Sequence, residues 1–528
     1  MVPPQPPPGN DPPPQFASVA NGGVRAQVVP ALAEALTALL AVPVGAWAAH
    51  GFAVVKARTV RLVLRGELAG VPCHVKVYRA HTLADRARDH LRGPRGQREF
   101  ERLVALQQAG WPVAAPLAAG MVQDTSGALS FVATRTVPAA QPFAWPAAPD
   151  AAARAGALLR ALHDQGFRPG DLHPGNLLLD AHAAPWLIDV DGMERGDPPS
   201  LRLRARGLAF FCQDLDGGAL DPHAAVLRRS YETAGTHPLP DLTAELAAAT
   251  RTWRSRALVG FGRRSSRDCR HTEVAVARRG QDHWTWHRDE QPDTANLRHH
   301  CLELVAAPPP PQKQGRRGGV FLDDRVVLKQ RSRAAAQQLW RAAYWLHFAK
   351  VDAPGPLGLC LRRGASYVAS RRLPLPTLAE ALAAGALAPA NLTAVARKLG
   401  EQVGRLHGHG LRNRDLKFDN LLLDPAACRV WMVDLDGVRR NAHSDWRGAG
   451  ADLGRLLAAY RGANAPGGAA VLRAFVRGWW RTQRQLLVHP PVRRVVARAL
   501  VRAGEWASAH PGAAAPRRGR EDGAAQAN

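Results

Sequence analysis

Lysine is nearly absent from this chain. Seven of its 528 residues are Lys and 63 are Arg, so a position taken at random has roughly a 1% chance of being Lys. A lysine standing where chemistry demands one is therefore unusually informative here. Cysteine is scarce as well. Cys73, Cys212, Cys269, Cys301, Cys360 and Cys428 are scattered, with no C-x-x-C spacing. That excludes a disulfide framework or a structural zinc site and fits reduced thiols in a cytoplasmic setting. His299-His300-Cys301 groups metal-ligand side chains but reads as a solvated loop. No basic-then-apolar layout opens the chain, so no signal peptide is expected. Residues 35–55 carry no formal charge, yet they include Pro43, Gly45 and Gly51 and are mostly Ala and Val. They read as a short helix and a strand rather than a membrane span. Acidic residues are outnumbered, 44 against 70 basic, which leaves a formal charge of +26. This reflects either an arginine-biased composition or attraction to an anionic partner such as a membrane surface or a phosphorylated glycolipid. No nucleic-acid-binding signature accompanies it. Apolar content of 46% with 22% charged residues suits a globular protein with room for two to four domains.

What is present is a repeated motif. Gly170-Asp171-Leu172-His173-Pro174-Gly175-Asn176 runs into Leu177-Leu178-Leu179, and Trp186-Leu187-Ile188-Asp189 follows. Phosphoryl transfer needs a carboxylate near the attacking hydroxyl and oxygen ligands for Mg²⁺ on the nucleotide phosphates. Asp171 has the position of the base. Asn176, five residues on, and Asp189, delivered by a short hairpin, have the positions of metal ligands. The pattern returns 244 residues downstream as Arg414-Asp415-Leu416-Lys417-Phe418-Asp419-Asn420, followed by Val433-Asp434. Leu162-His163 and Gly166 match Leu406-His407 and Gly410, and one residue is inserted before Asp434. A period this long means tandem domains, not a solenoid.

Upstream of the first motif, Phe52–Val55, Thr59–Leu64 and Cys73–Tyr78 read as strands. Lys76 projects from the third, as a lysine reaching the α- and β-phosphates must. The helix around Gln97–Leu106 offers Glu99 as its carboxylate partner and Glu101 as second choice. No G-x-G-x-x-G loop precedes Lys76, so any backbone cover for phosphates falls between Lys56 and Val63. In the second copy Lys329 ends a strand, but no Asp or Glu lies between Asp324 and Asp352, and Gln337, Gln338 and Leu339 stand where Arg98 and Glu99 stand in the first. The boundaries read as a disordered Pro-rich tail over 1–27, a first domain over 28–275 and a linker or domain start over 276–314. A second domain over 315–510 and a disordered tail over 511–528 complete the chain.

With Lys76, Glu99, the Asp171–Asn176 loop, Ile188-Asp189 and the stretch Ala109–Leu117 in place, the first copy resembles the lipopolysaccharide kinase family, which includes Kdo and heptose kinases and InaA-like proteins. The resemblance spans about residues 50–275, and 315–500 more weakly. It implies an α+β, protein-kinase-like fold in tandem, each domain a small antiparallel sheet with one helix beside a mainly helical lobe. It further implies ATP- and Mg²⁺-dependent phosphorylation of a lipopolysaccharide core sugar at the cytoplasmic face of the membrane. Lys76, Glu99, Lys329 and Lys417 would then serve the nucleotide, Asn176, Asp189, Asn420 and Asp434 the metal, and Asp171 and Asp415 catalysis. The histidine often found two residues before the base is replaced by Pro169 and Asn413. Lys417 is closer to protein Ser/Thr kinases than His173 is, but no A-P-E element follows either metal aspartate. A non-enzymatic kinase-fold scaffold is the third reading, and the second domain lacks the helix glutamate as a pseudokinase would.

Overall fold

Alternating apolar residues, many of them β-branched, build two antiparallel sheets, and the Ala- and Leu-rich stretches between them form helices. The computed structural model describes residues 15–486, apart from 22–23, 59, 80–82, 125–126, 216–217, 236, 270, 277–281, 289–292, 441–445 and 464–467, together with 501 and 508. The chain divides into two units, residues 1–250 and 251–528.

The first unit carries a seven-stranded antiparallel sheet. Its strands are β1 (Ala17–Asn21), β2 (Val24–Val28), β3 (Ala53–Arg58), β4 (Arg61–Leu68), β5 (Val71–Tyr78), β6 (Pro116–Asp124) and β7 (Gly127–Arg135). They run in the order β1-β2-β6-β7-β5-β4-β3. Residues 15–27 are thus not all tail: β2 pairs with β6 through Val28↔Ala118, and Val28 is fully buried. On one face lies α1 (Ala33–Leu40), whose Leu36 and Leu39 pack with Trp47 and Phe131. Among the described residues no single helix is long and apolar enough to cross a membrane. The 35–55 stretch instead forms part of a pair of helices bent by 117°. After α2 (Leu83–Arg92), α3 (Arg95–Gln108) lies on the sheet's other face with Phe100, Leu103 and Leu106 buried. Gly96 allows its close approach, since a Cβ there would stand 2.4 Å from the Phe131 carbonyl oxygen. Beyond the sheet come β8 (Gln141–Pro142), α4 (Pro149–Asp164) with Pro at its first turn, and the short ladders of β9 (Phe167–Pro169), β10 (Leu177–Leu179), β11 (Pro185–Leu187) and β12 (Met193–Arg195). Helices α5 (Leu201–Phe211) and α6 (Ala225–Thr233) follow, and the unit boundary falls within α7 (Thr243–Arg264).

The second unit has its own seven-stranded sheet: β13 (Thr272–Val276), β14 (Asp282–His287), β15 (Lys313–Gly315), β16 (Gly318–Leu322), β17 (Val326–Arg331), β18 (Pro356–Arg362) and β19 (Ser366–Arg371). The order β13-β14-β18-β19-β17-β16-β15 has the same connectivity as the first sheet. Residues 276–314 therefore include sheet strands and α8 (Thr294–Ala306), not a bare linker. Gly315–Gly319 makes the tight β15–β16 hairpin. Helix α9 (Arg333–Phe348) packs its Trp340 and Tyr344 in the core. Then come α10 (Leu378–Ala383), opened by a Thr377–Glu380 capping box, and α11 (Pro389–Gly408). The β20 (Leu411–Asn413), β21 (Leu421–Asp424), β22 (Arg429–Met432) and β23 (Val438–Arg440) ladders, α12 (Trp446–Gly462) and α13 (Gly468–Leu486) complete it. The stretch 492–507, rich in Val, Ala and Arg, reads as a further helix in the sequence and lies outside the described residues, apart from position 501.

Candidate active site

Strand β5 alternates Cys73, Val75 and Val77 into the core with Lys76 on the opposite face. There Lys76 Nζ meets Glu99 Oε1 at 2.6 Å and Asp189 Oδ1 at 3.6 Å. Glu99 is completely buried, and its second oxygen accepts from the Tyr78 hydroxyl. Burial and the Glu99 charge push the Tyr78 phenol well above its ordinary value, so it remains a donor. Glu101 is exposed and contacts Gln97 instead.

Asp189 stands in the left-handed conformation (φ 59°, ψ 57°), a backbone state that costs a non-glycine residue roughly 1–3 kcal/mol and clusters at functional turns. Burial raises its carboxyl, but Lys76 and then Arg61 outweigh that and hold it below the usual range. Arg61, at the β3–β4 turn, reaches Asp189 Oδ2 at 2.5 Å. The loop bearing Asp171 is tied to this turn: Gly170 N–H donates to the Gly192 carbonyl (2.9 Å) and Ile188 N–H to the Asn176 carbonyl (3.0 Å). Asp171 and Asp189 line one small cavity. Asn176, buried, donates Nδ2 to the Asp171 carbonyl at 2.9 Å, a bond that uses its amide nitrogen and not its oxygen. His173 is spent locally, accepting at Nδ1 from Gly175 N–H.

Two residues past Asp189, Asp191 is gripped from α3 by Arg95 (2.6 Å) and Arg102 (3.1 Å). Beside them a cavity of about 460 Å³ is lined by Arg79, Arg88, Arg92 and Arg98 among others. None of these arginines is marked in a sequence holding 63 of them.

The second unit repeats the frame with different partners. Asp434 is again left-handed (φ 53°, ψ 60°), Asn420 again donates Nδ2 to the Asp415 carbonyl (2.8 Å), and Val433 N–H bonds the Asn420 carbonyl (3.0 Å). Lys329, expected to lack a helix carboxylate, turns to Asp434 (2.8 Å) and Asp436 (3.2 Å). Arg331, two residues on, grips Asp436 with two nitrogens at 3.0 and 2.9 Å. Burial raises the Asp436 carboxyl, but the Arg331 hydrogen bonds and Lys329 drive it far below the usual range. Gln338 of α9 bonds the Val438 carbonyl instead of a lysine. Lys417 lies 3.5 Å from Asp415, both well exposed. Asp452, on α12 and fully buried, joins His407 (3.3 Å), the Asn413 N–H (3.1 Å) and Arg455 (2.9 Å). His163 in the first unit faces the Tyr231 hydroxyl at 2.6 Å and Gly207 instead.

Among the described residues no group of three or more His, Cys, Asp or Glu side chains could hold a metal ion by itself. At 299–301, His300 pairs with Asp323 and Cys301 is buried in the core.

Residues 47–209 match the model of the lipopolysaccharide kinase (Kdo/WaaP) family. A 3-deoxy-D-manno-octulosonic acid kinase from Vibrio parahaemolyticus serotype O3:K6 (strain RIMD 2210633) is 32% identical over 65 residues, which is 12% of this chain and 26% of that protein. The chain thus spans about a quarter of the length of the curated relative it matches. Two solved structures of WbdD, one described as a bifunctional kinase-methyltransferase, are also similar. They show 18% and 16% identity over 36% and 37% of this chain and 47% and 49% of theirs, with TM-scores of 0.25 and 0.26. The family resemblance read from the motifs holds for the first unit, in a fold that mixes helix and sheet.

Proposed function

We propose that the first unit is an ATP- and Mg²⁺-dependent phosphotransferase acting on a sugar hydroxyl of a lipopolysaccharide core, and that the chain is a tandem pair of protein-kinase-like domains. The observation that carries this is the buried Lys76–Glu99 ion pair with Asp189 beside it. Glu99 and Tyr78 fix the ammonium where a nucleotide's α- and β-phosphates would lie. A carboxylate at Asp189 and an amide oxygen at Asn176 are the hard donors Mg²⁺ takes, with phosphates and water completing its shell. When bound, the ion would neutralise phosphate charge. Asp171, exposed at the mouth of the loop, accepts the proton of the acceptor hydroxyl as that oxygen attacks. The loop's tie to Asn176 sets the carboxylate's position. The arginine-lined cavity beside Asp191 and the +26 charge support an anionic acceptor presented at a membrane surface. The matching sheet order supports the duplication.

The second unit is the degenerate partner, a regulatory or substrate-holding domain. Its lysine has no helix carboxylate and lies instead directly on Asp434 and Asp436.

Purified protein is assayed for Mg²⁺-dependent ATP consumption with and without lipopolysaccharide core acceptors, beside Glu99→Gln. Stimulation by a core acceptor, reduced about 10- to 100-fold in the variant by loss of a buried charge-assisted bond, is expected. ATP binding with no acceptor-stimulated turnover would replace this reading with that of a binding scaffold.

A further inference from the structure

Four of the seven lysines occupy two matched pairs of sites. In the first sheet Lys56 on β3 stands opposite Val63, which stands opposite Lys76. In the second, Lys313 on β15 stands opposite Val320, which stands opposite Lys329. Directly opposed residues of antiparallel strands point to the same face. Each sheet therefore carries Lys-Val-Lys across three neighbouring strands on one face, and Lys313, Val320 and Lys329 line a single cleft of about 1110 Å³. Two strand spacings put the paired lysine backbones about 9–10 Å apart. Side chains of that reach converge on a phosphate chain lying between them.

The outer lysine precedes the hairpin turn by two residues in each unit, the turn being Arg58↔Arg61 in one and Gly315↔Gly318 in the other. Gly318 (φ 115°) hugs the next strand, where a Cβ would stand 2.3 Å from the Gln330 carbonyl oxygen. Both outer lysines are exposed. An edge strand often carries a lysine to block sheet-to-sheet association. That task needs only a charge anywhere on the edge, and this chain supplies arginine almost everywhere else. It does not require the same rare residue at the same register and face twice.

We infer that Lys56 and Lys313 are phosphate-binding residues, each the second jaw of a two-lysine clamp on the outer phosphates of a nucleoside triphosphate. The first half of this rests on the kinase reading above. The second half assigns a triphosphate site to the degenerate unit, whatever its catalytic competence.

Calorimetric titration of the full-length protein with ATP and with AMP, in Mg²⁺, tests it in wild type, K56A, K56R, K313A, K76A and K329A. Wild type binds two ATP. K56A weakens by about tenfold the site that K76A removes, and K313A the site that K329A removes, while AMP affinity stays within about twofold. K56R restores most of the loss, and the nucleotide-free melting temperature is unchanged in K56A. ATP affinity intact in K56A, with K76A defective, would overturn the clamp and leave the kinase reading standing. One ATP per chain, insensitive to K313A and K329A, would overturn the second site. No ATP binding by wild type would overturn both this inference and the kinase reading.

Discussion

The two units hold an aspartate in the same left-handed turn and differ in the carboxylate that takes up the strand lysine. In the first, a helix carboxylate, Glu99, takes up Lys76, and Tyr78 holds that carboxylate from below. In the second, the helix offers Gln338, the residue two past the lysine is Arg331, and Lys329 falls back on Asp434 and Asp436. The two changes are coupled by physics. Without a buried carboxylate a lysine on the cleft face needs another anion, and an arginine in place of the tyrosine satisfies Asp436 bidentately. Scaffolding differs in reverse. The second unit anchors its loop on the buried Asp452, whereas the first leaves His163 against a neutral tyrosine. One unit thus holds its strand lysine on a buried helix carboxylate, and the other ties its loop to a buried aspartate.

The sharpest separation is expected at the proposed bases. Asp171→Asn lowers kcat for acceptor phosphorylation by about 10²–10⁴-fold, and Asp415→Asn leaves it within about twofold. Steady-state rates on a core acceptor read both, and equal losses would make the units equivalent catalysts.

Next is Asp452→Ala. Removing one member of a buried charged network costs about 3–5 kcal/mol, here borne by the second unit, and denaturant unfolding measures it. A loss below about 1 kcal/mol would mean that the loop does not depend on this anchor.

A smaller, pH-dependent difference belongs to His163. Burial first, and Arg204 next, lower its imidazole to about 4 from 6.5. The unfolded chain takes up a proton as pH falls through about 6.5, while the folded one stays neutral to about 4. The contribution of His163 to the first unit's stability is therefore complete above pH 6.5 and is lost, by up to about 3 kcal/mol, toward pH 4. Unfolding midpoints at pH 7 and 4.5 should converge in His163→Gln, and an unaltered drop in that variant would remove His163 as its cause.

Least is expected of Lys417→Ala. Its 3.5 Å contact with Asp415 is exposed on both sides, and such pairs contribute about 0–1 kcal/mol. A large loss of turnover would instead make the second unit a working kinase.

These contrasts differ in how far the sequence announces them. Lys76, Glu99, Asp171, Asn176 and Asp189 are legible because spacing isolates them and lysine is rare. The missing acid between Asp324 and Asp352 likewise announces that Lys329 must find other company. Arg61, Arg95 and Arg102 are invisible among 63 arginines, since only the folded turn tells which of them meet Asp189 and Asp191. Asp452 lies 45 residues past His407 on a helix rich in Ala, Gly and Leu, and burial alone gives it meaning. Strands β1 and β2 hide in a Pro-rich opening because each is five residues long; β1 pairs with β2, and only β2 reaches β6, through Val28↔Ala118, far along the chain.

In the proposed mechanism phosphoryl transfer belongs to the first unit. The most direct measurement is Mg²⁺-dependent, acceptor-stimulated ATP consumption by Asp189→Ala beside Asp434→Ala. Stimulated turnover absent from Asp189→Ala and retained in Asp434→Ala is the expected result. Turnover retained in Asp189→Ala and lost in Asp434→Ala would contradict it and move the chemistry to the second unit.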